Sequence, residues 1–90
     1  MNKERRKTLA TLRESLDNLH TQLESVKDDL DAPRQDEQDA LDNMPESQQE
    51  GEKGEKMQEA VDKLDEAVEA LDEALESIKA AQDAIEEAEA

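Results

Sequence analysis

Cysteine, phenylalanine, tyrosine and tryptophan are all missing from this chain, which has one histidine, two glycines and two prolines in 90 residues. Without cysteine there is no disulfide, no thiolate nucleophile and no soft metal ligand. Without aromatics there is nothing bulky to fill the middle of a compact globule. The lone His20 has no second histidine to work with, and no Gly-rich phosphate loop is present. It reads as a solvated histidine on a helix flank, near Asp72. The acidic run Asp36-Glu37-Gln38-Asp39 lacks the glycine that an EF-hand loop needs at its sixth position. These absences argue for a protein that is not an enzyme and uses no cofactor and no metal. No window approaches the ~20 apolar residues of a membrane span. The start, MNKERRKTLATL, is basic but lacks the apolar run of a signal peptide. The expectation is a cytoplasmic protein with no membrane partner.

What the chain does have is charge. Acidic residues number 27 against 11 basic ones, a formal net charge of −16. Such a chain is repelled by nucleic acid and by anionic membranes. Its natural partners are a basic protein surface or another copy of itself.

The apolar residues are few and strictly spaced. Met57, Val61, Leu64, Val68, Leu71, Leu75, Ile78 and Ile85 follow steps of four and three, with Gln82 filling the one gap. That is a heptad seam. A second seam runs through Leu9, Leu12, Leu16, Leu19, Leu23, Val26 and Leu30. With Leu9 as position a, the d positions are Leu12, Leu19 and Val26. The e positions Arg13, His20, Lys27 and Arg34 form a basic-leaning edge. Pro33 costs about 3 kcal/mol inside a helix, so the first helix should kink there and resume to about Asp42. Asn43-Met44-Pro45 stops it, and Gly51 and Gly54 lie in a polar loop with no apolar residue. The fold class expected is all-α, one domain over 1–90. It is an antiparallel two-helix coiled-coil hairpin with helices at about 4–42 and 54–88 and a loop at about 43–53. Dimerisation into a four-helix bundle is one way to thicken so thin a core.

Two registers suit the seams. One pairs Leu9 with Ile85, Leu16 with Ile78, Leu23 with Leu71 and Leu30 with Leu64. It leaves Leu12 opposite Gln82 and Arg13 near Lys79. The other, one heptad away, pairs Leu16 with Leu71 and puts Arg13 near Asp72.

Two features are left over once a hairpin is drawn. Ala60, Ala67, Ala74 and Ala81 form a strip beside the second seam, at a small-residue position suited to close approach or self-association. On the far side of the same helix lie Asp62, Asp65, Glu66, Glu69, Asp72, Glu73 and Glu76. Two lines of carboxylates on a rod are similar in charge to the phosphate lines of a duplex. This acidic face is the candidate partner-binding site. It points to a DNA mimic that occupies the groove of a nuclease or other DNA-binding protein. The alternatives are a self-assembling structural or adaptor protein whose acidity only gives solubility, and an acidic chaperone for a basic protein.

The segments MNKERRK, LDNMPESQQ and GEKMQEAVDKLDEAVEALDEALESI, and above all Asn43-Met44-Pro45-Glu46, resemble short acidic helical-hairpin proteins encoded by phages, prophages and other mobile elements. The likeness covers most of the chain and departs from that pattern at Pro33. It implies a mobile-element origin and, by association, an inhibitor of a host DNA-acting enzyme.

Overall fold

A computed structural model describes all residues, Met1–Ala90. It is 90% helical and contains no strand. Four helices follow in order: α1 (Lys3–Asp29), α2 (Asp31–Asp42), the single turn α3 (Glu46–Gln49) and α4 (Glu52–Glu89). Together they form a rod of 68 × 15 × 13 Å. None of the helices is long and apolar enough to cross a membrane.

The start of α1 is stacked with cations, which oppose the helix dipole. Asn2 offsets this, since its side-chain oxygen accepts the Arg5 backbone N–H at 2.9 Å. The break in the first long helix falls at Leu30, three residues before the kink expected at Pro33. Leu30 keeps right-handed helical angles, and its N–H is shared between the carbonyls of Val26 and Lys27. Pro33 therefore sits in the first turn of α2, and the helical carbonyl that its missing N–H would have served is that of Asp29, the last residue of α1. Helical hydrogen bonds continue on both sides, from Leu30 N–H to Val26 and from Arg34 N–H to Leu30.

Across the rod, α1 and α2 lie against α4. Arg13 meets Glu89, Lys27 meets Asp72 and Arg34 meets Asp65. Partner numbers fall as the first numbers rise, so the two stretches run in opposite directions. Between them, Gln82 Nε2 reaches the Arg13 carbonyl at 3.3 Å and Asp17 Oδ1 at 3.4 Å.

The face that α1 turns toward α4 differs from the a and d seam read from the sequence. Leu9, Leu16, Leu23 and Leu30 are half-buried, and so are the e residues Arg13, His20, Lys27 and Arg34. The d residues are turned out: Leu12 is 49% exposed, Leu19 48% and Val26 50%. On α4, with Val61 as a, the d positions run through Leu64, the e positions through Asp65 and Asp72, and the g positions are the alanine row. The screened positions are a, d and g, with Ala60, Ala67 and Ala74 half-buried. Small side chains at that row let α1 shift sideways over it. The shift brings the e-row cations of α1 within reach of carboxylates on α4.

Deep burial is confined to the closed end of the rod. Val61 is 1% exposed and Leu41 7%, and Gly54 completes the set of three buried residues. Gln49 ties the connection down, its Nε2 donating to the Met44 carbonyl at 2.9 Å. Gly54 allows the turn to lie flat on α4. A Cβ there would fall well inside 3.0 Å of the Gln49 backbone. Alanine is the better helix former by about 1 kcal/mol, yet Gly54→Ala should destabilise by about 1–3 kcal/mol through overpacking. Gly51 caps α4 with no side-chain hydrogen bond, so Gly51→Ser should instead stabilise by a few tenths of a kcal/mol. Thermal denaturation followed by circular dichroism reads both signs.

Candidate protein-interaction site

Asp62, Glu66, Glu69, Glu73 and Glu76 recur at steps of four, three, four and three along α4. That spacing places them on one continuous stripe facing away from the seam, about 21 Å long at 1.5 Å per residue. All five are exposed, as are Asp65 and Asp72 at its edge.

The seven carboxylates are not equivalent. Asp65 accepts from Arg34 Nε at 2.9 Å, and Asp72 is held by Lys27. Both are tied to the neighbouring helices while their side chains stay half open to solvent. Glu66 pairs within α4 with Lys63 at 2.9 Å, and Asp62 accepts from Gln58 at 3.0 Å. Glu69, Glu73 and Glu76 have no cationic partner. They are the free centre of the face.

The ion pairs account for the cations whose affinity for protons is altered. The hydrogen bond that each donates to its carboxylate partner raises its pKa: Arg13 to Glu89, Lys27 to Asp72, Arg34 to Asp65 and Lys63 to Glu66. A raised cation contributes stability at every pH below its ordinary range and loses it only as pH climbs through the folded value.

His20 lies elsewhere than the sequence suggested. Its Nδ1 is 2.9 Å from Glu24 Oε1 on the same helix, because Lys27 occupies Asp72. Arg13 likewise turns from Lys79 to Glu89, with Nε at 2.8 Å from Oε1 and Nη2 at 2.7 Å from Oε2. A forked guanidinium prefers a carboxylate it can hold with both arms, and Glu89 lies within its reach. The alanine strip divides: Ala60, Ala67 and Ala74 are half-buried under α1, and Ala81 is exposed.

Two features escaped the sequence reading. One is the loss of Asp65 and Asp72 to interhelical pairs, signalled by the opposite signs of the two e rows. The other is the outward d row of α1, which a strict a and d assignment hides.

A net −16 over 68 Å is roughly one charge per 4 Å of rod, beside about 3.4 Å per phosphate along one nucleic-acid strand.

Removing the Lys27–Asp72 pair tests this electrostatic picture. Lys27→Gln should lower stability by the same amount at pH 6 and pH 9. The difference from the wild type should begin to shrink only above pH ~10.4, the ordinary lysine value, and vanish once pH passes the raised value of Lys27 in the folded chain. Urea titrations across that range measure it.

Compared with protein-family models, curated proteins and solved structures, the chain matches none.

Proposed function

We propose that this chain is a non-enzymatic interaction module, an antiparallel coiled-coil hairpin whose acidic stripe occupies a basic protein surface. The favoured partner class is a protein that grips one phosphate line of a nucleic acid with arginine and lysine. The observation that carries this reading is the cation-free centre of the stripe. In a chain where Arg13, Lys27, Arg34, Lys56, Lys63 and Lys79 are each within reach of a carboxylate, Glu69, Glu73 and Glu76 have none. They stand on one exposed line of a stiff helix. Carboxylates in such an array gain little from folding and repel one another, so a complementary surface is the natural way to relieve them.

The hairpin itself is supported by the interhelical pairs. They suit the register that sets Leu16 against Ile78 and Leu23 against Leu71. A cysteine pair at Leu16 and Ile78 should cross-link under mild oxidation, and failure to do so would remove that register.

Binding of this kind is held by charge and weakens steeply with salt. A partner recovered from the native host at low salt should be released by added duplex or single-stranded DNA. Reversing Glu69, Glu73 and Glu76 to lysine should abolish its capture while leaving helicity intact. Capture that survives the triple reversal, or that DNA does not compete, rules the reading out. Self-association is a separate proposal, carried by a different face.

A further inference from the structure

The flank opposite the interhelical ion pairs is free of charge, which is unusual in a chain that is 42% charged. From Thr8 to Val26, the c, d and g positions of α1 hold only Thr, Ser, Asn, Gln, Leu and Val. From Ala67 to Ala88, the c and g positions of α4 are all alanine except Ser77. Leu12, Leu19 and Val26 stand out of this surface, each about half exposed. The small-residue stripe is thus accompanied by three large apolar side chains that the hairpin leaves uncovered. A protein this acidic needs no such strip for solubility.

We infer that this flank is the interface of a two-fold dimer in which a second copy of the chain covers Leu12, Leu19 and Val26. Three observations select a second copy over another occupant. First, the strip is symmetric about its own centre. Leu12 and Val26 lie seven residues either side of Leu19, and the exposed Ala70 and Ala84 seven either side of the exposed Ser77. The register that sets Leu16 against Ile78 brings Ser77 close to Leu19 along the rod. A two-fold axis there maps the strip onto itself, as an isologous interface requires.

Second, the ends of α1 complement one another under that axis. Lys3, Arg5, Arg6 and Lys7 begin the helix without an ion-pair partner in the chain, and Asp28, Asp29 and Asp31 lie near its far end. Arg5 occupies the d row ahead of Leu12, and Asp29 a g position behind Val26. Packed head to tail, Arg5 of each copy falls about one helical turn from Asp29 of the other. The acidic stripe of α4 stays on the outer side of both copies, so the like charges are not opposed.

Third, the size fits a modest dimer. The uncharged part of α1 is about 28 Å long on a rod 13–15 Å wide. Two copies would cover about 800 Å² in total, short of the ~1,000 Å² of a standard interface and in keeping with a weak, transient dimer. The dimer should therefore dissociate in the micromolar range.

Sedimentation equilibrium on the full chain, from about 1 to 500 µM, brackets that range and tests the assignment. The wild type should pass from monomer to dimer. Leu19→Glu should weaken association at least ~tenfold, since the two-fold counts the change twice, and should leave the circular dichroism of the monomer unchanged. Arg5→Asp should weaken the dimer, and Arg5→Asp with Asp29→Arg should restore it. Because the chain has no cysteine, Leu19→Cys should form a disulfide-linked dimer on oxidation, whereas Glu69→Cys on the other flank should not. A wild type that stays monomeric throughout overturns the proposal. So does a dimer indifferent to Leu19→Glu, or one cross-linked from Glu69→Cys and not from Leu19→Cys. Glu69→Lys, which disables the acidic stripe, should leave dimerisation intact, so the two proposals fail separately.

Discussion

Arg13, Lys27 and Arg34 reach across to Glu89, Asp72 and Asp65 on one flank of the rod, and the placement of nearly every other side chain follows from that reach. To bring these e-row cations against α4, the first helix must roll away from a symmetric a and d seam. The roll half-buries Leu9, Leu16, Leu23 and Leu30. It turns Leu12, Leu19 and Val26 outward on the other side. The alanine row of α4 makes the roll sterically feasible, because a larger residue at Ala67 or Ala74 would hold the first helix off. Individually these ion pairs are exposed and weak. Their effect is on orientation: they decide which leucines meet α4 and which meet solvent.

The consequence is a rod with two distinct flanks and very little interior. Only Val61 and Leu41 are buried apolar residues, both at the closed end, where Gly54 lets Gln49 pack on α4. The rest of the seam is half-buried. A two-layer structure of 90 residues has too little volume to hide more. Charge is sorted accordingly. The back of α4 carries a continuous line of carboxylates, and uncharged residues gather on the flank where the d row emerges. One surface suits a cationic partner and the other an apolar one.

Much of this was legible in the sequence. The heptad spacing from Met57 to Ile85 and from Leu9 to Leu30 announces long helices, and Asn43-Met44-Pro45 announces the turn between them. The acidic stripe is equally plain, since its residues repeat with the same period as the seam. The roll was harder to see. Heptad letters assign d positions to the core by convention, and only the opposing signs of the two e rows betray that another face wins. The break at Leu30 lies upstream of Pro33 because proline constrains the residues before it, and there the Leu30 N–H splits between two carbonyls. The pairing of Asp65 and Asp72 was concealed because a list of carboxylates on one helix does not show which of them a neighbouring helix claims.

The orientation of α1 is the claim on which both proposed surfaces depend. Isotope-filtered methyl NOEs, recorded on a mixture of labelled and unlabelled chain, test it most directly. The predicted result is that Leu9, Leu16, Leu23 and Leu30 show contacts to α4 within one molecule. Leu12, Leu19 and Val26 should show contacts only between molecules. Intramolecular contacts from Leu19 to Leu75 and from Val26 to Val68 would contradict it, since they would mean a symmetric seam with no apolar row left to cover.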